Sequence, residues 1–341
     1  MKKMYKQLME LLNIHGVSSD EGKVRDYLKP ILEKSMDEVV VDSYGNLLAT
    51  KKIGNGKGST VLLSAHMDTV RGVVVDRKVL TSNDGDTITS SKGALGADDR
   101  AGIAIILQVL RNVEKLSFQG TLKIAFSREE EIGCIGAGQI DPKWYSDVDL
   151  AIVVDRKGNR DIVTGCYSAF CSDAVGNFFE EASQMQGMNW KAVQGGISDA
   201  TVFSEQGVHS VNLSAGYRHE HTEKEYVVFT DMMDTVKLIL QALAIVNTFA
   251  STFGDVPKNN KWVKAYTNTN TKSYYNYDYY TEEDFKHMFQ EDIYAEVIDP
   301  MDGDTFVYEA GNKVVIEQCG NEIVLSKESL KYLVEQLMAT L

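Results

Sequence analysis

A chain of 341 residues, 43% hydrophobic and 25% charged with four prolines, has the make-up of an ordinary globular protein, long enough for one large domain and a smaller one. Its 35 basic residues stand against 49 acidic ones, and a net charge of −14 excludes nucleic acid and anionic membrane as partners drawn in by a long-range positive field. The four cysteines are scattered without a Cys-x-x-Cys pair and no apolar run approaches the length of a membrane span, so a disulfide framework, a thiolate zinc site and a transmembrane segment are excluded and a reducing, cytoplasmic setting is expected.

The first stretch, MKKMYKQLMELLNIHG, alternates polar and apolar residues at helical spacing and lacks a continuous apolar core, which makes it a helix and not a signal peptide. Ser18 and Ser19 followed by Asp20 and Glu21 predict the cap of a second helix running to about Ser35. EVVVDSYGNLLATKK has two β-rich runs about a Tyr-Gly-Asn turn, a hairpin. Val61, Leu62 and Leu63 then open a buried strand that ends abruptly in His66, Met67 and Asp68. Gly72 to Gly93 reads as a surface excursion of short β-runs, after which GALGADDRAG opens an apolar helix over Ala101 to Val113.

The same grammar recurs downstream. A strand from Thr121 to Phe126 runs into Glu129, Glu130 and Glu131, and a third buried strand, Asp149 to Asp155, ends in an acid. Ser172 to Gly187 predicts a helix, NWKAVQ a strand, Gly195 to Asp199 a turn into a helix, and VHSVNLSAG a strand that leads to Tyr217-Arg218-His219-Glu220-His221-Thr222. A long helix over Asp231 to Thr252 closes the region. The alternation predicts an α/β domain over residues 1–254, a mostly parallel, mixed central sheet with helices on both faces. Beyond it, Asn259 to Tyr280 has the character of a linker or irregular surface layer. Helices are expected at Thr281 to Glu291 and Ser326 to Leu341, with three or four short strands over Ala295 to Leu325, which makes residues 255–341 a small α+β appendage without evident chemistry.

Strand ends are where open α/β sheets bind ligands, and here they supply His66, Asp98, Glu131, Asp155 and a histidine at 219 or 221. Each has a plainer reading alone: a His-x-Asp polar corner, or an N-terminal helix cap for Asp98 and Asp99. Together, two imidazoles and three carboxylates are what two divalent ions sharing one carboxylate require.

SAHMDTV, GADDRAG, REEEIGCIGA and GGISDATVFSEQGVHSVNLSAGYRHEHTEKEYV resemble the motifs of the cocatalytic metallopeptidases that include tripeptidase T, carboxypeptidase G and the acylases, over roughly Leu8 to Phe249. The resemblance implies that His66 and Asp155 bind one metal, Glu131 and His221 the other, and Asp98 bridges them. It makes Asp68 the residue that orients His66, Glu130 the general base, and the Asp98–Asp99 peptide bond cis. The spacing Glu-Glu-x-Gly-x-x-Gly-Ala selects Glu130 and Glu131 and leaves Glu129 as an extra acid; Thr222 and Glu225 complete His-Thr-x-x-Glu and select His221 over His219. Asp199 aligns with an acid beside the site, a helix cap being its other reading. His15, His209 and His287 fall outside every motif and read as structural or surface residues. Two divalent ions are expected, zinc first on an imidazole and carboxylate set, with manganese or cobalt as substitutes.

One departure is evident. Only 66 positions separate Asp155 from His221 and 32 separate His66 from Asp98, too few for an inserted lid domain in either place. The layout resembles lidless aminopeptidases and predicts a monomer or an oligomer assembled without a lid. The expected activity is an exopeptidase, an aminopeptidase acting on short peptides, with an N-acyl amino acid amidohydrolase as the alternative and a non-catalytic metal-holding homologue as a third reading that Glu130 argues against. Glu129, Asp199 and Glu220, read as unpaired carboxylates at the rim, would attract a protonated α-amino group.

Overall fold

The computed structural model describes residues 2–257 apart from Tyr167, together with the backbone of three strands at 305–310, 313–318 and 321–326. Two units separate at Lys258 and Asn259.

The first unit begins with α1 (Lys2–Leu12) and α2 (Gly22–Glu33), followed by the hairpin of β1 (Glu38–Val41) and β2 (Leu47–Ile53). Next come β3 (Thr60–His66), the short β4 (Val79–Thr81) and β5 (Thr87–Ser90), and α3 (Ala97–Val113). The middle of the chain gives β6 (Gly120–Ser127), α4 (Ile135–Gln139), β7 (Leu150–Arg156), β8 (Asp161–Cys166) and β9 (Ser168–Ala169). After these lie α5 (Asp173–Met185), β10 (Lys191–Gln194), α6 (Asp199–Glu205), β11 (Ser210–Ser214), β12 (Tyr217–Arg218), β13 (Tyr226–Val228) and α7 (Phe229–Phe249).

The central sheet runs β1-β2-β6-β3-β7-β11-β8-β10, with β9 paired to β8. β6, β3, β7 and β11 are mutually parallel neighbours, as are β8 and β10, while β1, β2 and the β11–β8 pair are antiparallel. Strand alternation sends successive side chains to opposite faces. Val61, Leu63 and Ala65 of β3 and Leu150, Ile152 and Val154 of β7 accordingly join the larger core cluster, with residues of α1, α2, α3, α5 and α7. Leu62, Ala151 and Val153 enter a second cluster with Ala137 of α4 and Ala200 and Phe203 of α6. Helices therefore cover both faces, and β3, buried along its whole length, lies at the centre.

Three sequence expectations change. The 66 positions between Asp155 and His221 hold five strands and two helices, where two strands were expected; β8, a six-residue run ending in Gly-Cys, and the two-residue β9 and β12 are too short to announce themselves by periodicity. The excursion between Gly72 and Gly93 is not isolated β-text. Its strands form a second sheet, β12-β13-β5-β4, with partners more than a hundred residues away, a pairing that local pattern does not encode. The helix that follows β13 starts at Phe229, not Asp231, and ends at Phe249 before a 3-10 turn.

In the second unit β14 (Thr305–Ala310), β15 (Lys313–Gln318) and β16 (Asn321–Ser326) form an antiparallel meander. The expected linker at 259–280 and the helices at 281–291 and 326–341 lie outside the described residues, save that Ser326 ends β16.

Candidate metal centre

The parallel register puts the carboxyl ends of β3, β6 and β7 side by side, with His66 opposite Ser127 of β6. His66 therefore emerges beside the turn that carries Glu129, Glu130 and Glu131, and Asp155 emerges from β7 on its other side. Asp98 arrives from the start of α3. That helix begins after Gly96, whose φ of +75° is the left-handed region glycine favours, and packs closely on β7 at Gly102, where a Cβ would lie 2.0 Å from the Val154 carbonyl oxygen. The Asp98–Asp99 peptide bond is cis, as the motif resemblance implies.

The side chains converge on Asp98. His66 Nε2 lies 2.9 Å from Asp98 Oδ1 and 3.4 Å from Asp155 Oδ1. His221 Nε2 lies 3.1 Å from Asp98 Oδ2 and 2.8 Å from Glu131 Oε2. Each oxygen of one carboxylate thus faces a different imidazole, and each imidazole faces a second acid. Glu130 stands at the edge, its Oε2 3.9 Å from His66 Nε2. His219 stays outside the cluster, its ring tilted against that of Tyr226 with centroids 5.7 Å apart.

Asp68 organises this floor from behind. Its Oδ1 accepts from the Glu130 N–H at 3.0 Å, and its Oδ2 accepts from the Glu131 N–H at 3.2 Å and from the Ser18 hydroxyl at 2.8 Å. His66 Nδ1 faces Asp68 Oδ1 at 3.2 Å and the Asp68 carbonyl at 3.1 Å, both acceptors, so the ring proton belongs on Nδ1. The lone pair on Nε2 then points at Asp98 and Asp155. Three acceptors turned on one point require a proton or a metal ion between them. Glu131 Oε1 is in the same condition, buried without a hydrogen-bond partner. Imidazole and carboxylate groups at these separations form a fitting donor set for divalent ions; the ligand-type atoms of His66, Asp98 and Glu131 lie within 4.8 Å of one another.

The charge balance points the same way. Burial and the Asp98 charge push the Asp155 carboxyl up to about 7, and burial with the charge of Asp155 lifts Glu130 well above the usual carboxylate range. Burial opposes a charge on either imidazole. The surrounding carboxylates outweigh it, holding His66 well above its ordinary value and His221 at about 11. Surroundings that favour a proton on these nitrogens favour a metal ion that displaces it.

Several contacts are not legible from the motifs, even where the motifs contain the residues that make them. Glu225 accepts from the N–H groups of Gly96, Ala97 and Asp98 at 2.8, 2.7 and 3.1 Å, tying the loop of His221 to the turn of Asp98. The Tyr217 hydroxyl donates to Asp155 Oδ1 at 3.0 Å, and Asp99 accepts from the His66 backbone N–H at 3.3 Å. Ser18, read from sequence as part of a helix cap, instead serves Asp68; the residue that precedes α2 is Glu21. The cap of α6 is Ser198, which frees Asp199 to accept from the Ser127 hydroxyl.

The rim argument from unpaired acids does not hold. Glu129 is 7% exposed and accepts from the Ser19 hydroxyl at 2.5 Å and from the Tyr44 hydroxyl, Glu220 is 3.1 Å from Lys157, and Asp199 is 1% exposed. An open cleft of about 370 Å³ does reach His221, lined by Gly72, Val74, Lys92, Ala94 and Thr222 among others.

Comparison with known proteins gives the fold its relatives. The sequence model of the family M42 glutamyl aminopeptidase matches residues 73–238. A putative aminopeptidase of Acetivibrio thermocellus is 21% identical over 330 residues, covering 70% of this chain and 98% of its own length. The chain spans about half the length, 52%, of the peptidase T of Clostridium botulinum that it matches at 26% identity. Among solved structures, aminopeptidase PepT from Bacillus cereus superposes with a TM-score of 0.64 at 18% identity, over 72% of this chain and 98% of that one. The TET1 peptidase of Pyrococcus horikoshii, described as assembling into a tetrahedron or a large octahedral shell, gives 0.57 at 18% identity over 71% and 99%. No helix among the described residues is long and apolar enough to cross a membrane. The resemblance to cocatalytic metallopeptidases thus stands at the level of the wider group, without selecting the tripeptidase T branch: the chain is a hydrolase with the α/β fold of these peptidases, similar to the M42 glutamyl aminopeptidases along residues 73–238.

Proposed function

We propose that the protein is a metal-dependent aminopeptidase that hydrolyses short peptides, with residues 1–254 as its catalytic domain. The observation that carries the reading is Asp98, whose two oxygens lie 2.9 and 3.1 Å from two different imidazoles, the arrangement a bridging carboxylate needs. In this reading His66 and Asp155 hold one divalent ion and His221 and Glu131 the other, zinc being the natural choice for such a set and manganese or cobalt workable substitutes. A pair of ions there supplies Lewis acidity, polarising a carbonyl and lowering the pKa of a water. Glu130, anchored through its backbone N–H to Asp68 and lifted in pKa by burial, accepts the proton of the attacking water and returns it to the leaving nitrogen. Asp68 fixes the His66 tautomer. Preference for a free amino terminus rests on the aminopeptidase relatives, since the rim acids are paired or buried. The buried thiols of Cys134 and Cys171 suit a cytoplasmic enzyme. In this reading the chain works as a monomer or in an assembly made without a lid domain.

The test pairs a substrate screen with one variant. Peptides with a free amino terminus should be cleaved and their acetylated counterparts spared, and Glu130→Gln should lower turnover by about 10² to 10⁴ while metal content stays at that of the native protein. Cleavage of acetylated peptides or N-acyl amino acids at equal rates would reject the aminopeptidase, and loss of metal in Glu130→Gln would reject the base.

A further inference from the structure

A second cluster of metal-type side chains sits against the centre without belonging to it. Cys134 Sγ lies 3.3 Å from Glu130 Oε1, and Glu130, Cys134 and Asp199 each offer a ligand atom within 4.8 Å of the others. Cys134 precedes α4 with a φ of +53°, a conformation that non-glycine residues seldom adopt, and it is buried. Asp199 is 1% exposed; one oxygen accepts from the Ser127 hydroxyl and the other, Oδ1, is buried with no hydrogen-bond partner. A thiol, a carboxylate with an unmet acceptor and the proposed general base therefore share one small space.

We infer that Cys134, Asp199 and Glu130 form a third, inhibitory site for a thiophilic divalent ion such as zinc or cadmium. The geometry is suitable: ligands at about 2.3 Å for sulfur and 2.0 Å for oxygen around a tetrahedral ion stand about 3.5 Å apart, close to the Cys134–Glu130 separation. The charge is suitable as well. Asp68, Asp98, Asp99 and Asp199, which are buried, and Glu130, Glu131 and Asp155, which are partly so, put seven carboxyl groups in one region with Arg100 as a buried cation beside Asp68 and Asp99, so two divalent ions leave negative charge over. Binding releases the thiol proton to solvent and forms a metal–thiolate bond, with no change of oxidation state. It also occupies the Glu130 carboxylate, which can then no longer take up a proton. The first two sites contain no sulfur, whereas this one does, so it selects softer ions. The inference rests on Glu130 as the base only for the inhibition; the binding stands independently of it.

Cadmium added to the metal-loaded full chain is the probe. The native protein should bind one equivalent beyond those of the two-ion centre and develop the ultraviolet charge-transfer band of a cadmium–thiolate bond. Cys134→Ser should lack both the band and the extra equivalent while still cleaving peptide, and Asp199→Asn should lower cadmium affinity about ten-fold or more. Excess zinc should reduce native turnover at least about ten-fold and leave Cys134→Ser unaffected. A native protein without the band, or a Cys134→Ser protein that still takes up the additional ion, overturns the site. A band that appears without loss of turnover overturns its inhibitory role, and a protein that cleaves no peptide but shows the band separates this inference from the proposed activity.

Discussion

His66 ends a strand that is buried throughout and has 1% of its surface exposed, whereas His221 stands in the loop between the two-residue β12 and the three-residue β13 with its side chain 45% exposed. Both meet Asp98 through Nε2. Behind the His66 ring stands Asp68, itself fixed by two backbone N–H groups and a serine; among the described residues no carboxylate plays that part for His221. A ligand whose second nitrogen is anchored loses less freedom on binding and donates more strongly. Two proposed sites that look equivalent as lists of side chains are therefore unequal, a rigid half built into the sheet and an open half carried on a loop.

The most drastic way to break this comparison is to remove what both halves share. Asp98→Ala should abolish measurable turnover and strip metal from both positions, because each imidazole loses one of the two carboxylates its Nε2 faces. Elemental analysis that finds one ion retained would mean that the halves are independent and that Asp98 is no bridge.

A smaller effect sharpens the inequality. On titration with a chelator the ion of the His221 half should leave first. Asp68→Asn should cost the His66 half about 10- to 100-fold in metal affinity and narrow the gap between the two release steps. Release in a single step in the native protein, or an Asp68→Asn protein that loses the His221-side ion preferentially, contradicts the asymmetry.

The smallest effect comes from an acid that belongs to neither half. Glu205 is half-buried in α6, and burial alone pushes its carboxyl from 4.5 up to about 7. Its folded pKa lies above the unfolded one, so the folded state keeps a proton that the unfolded chain releases. The stabilisation is complete below about pH 4.5 and is lost as pH rises through 7. Glu205→Gln should then add on the order of 1 kcal/mol at pH 8, after discounting for solvent screening, and nothing at pH 4. Urea unfolding of both proteins at the two pH values checks this, and an equal gain at pH 4 would point to packing instead.

The two halves also differ in how far sequence reveals them. The His66 half is legible because β3, β6 and β7 are long apolar runs with abrupt polar ends, and parallel strands align those ends without further information. The placement of His221 depends on the pairing of β13 with β5 and on the three N–H bonds of Glu225, contacts that span more than a hundred residues. Only the motif His-Thr-x-x-Glu pointed to it. The rim acids were misjudged for a related reason: Ser19, Tyr44 and Lys157, which engage Glu129 and Glu220, lie far from them in the chain. Charge counted along a sequence does not say which charges are already answered. Cys134 and Asp199 escaped notice as a pair because one sits in a glycine-rich turn after β6 and the other at the start of α6, which meet only in three dimensions.

Glu225 carries one last consequence, which concerns time. Its carboxylate closes the turn at Asp98, 127 positions earlier in the chain. At a synthesis rate of about 5 to 20 residues per second, roughly 6 to 25 s pass between the emergence of that turn and the arrival of its acceptor. Until then Asp98, the proposed bridge, lacks the acceptor that fixes its backbone, so a nascent chain, or one terminated before residue 221, has only the proposed His66 half to offer. A centre assembled in this order stays incomplete until Glu225 has been made.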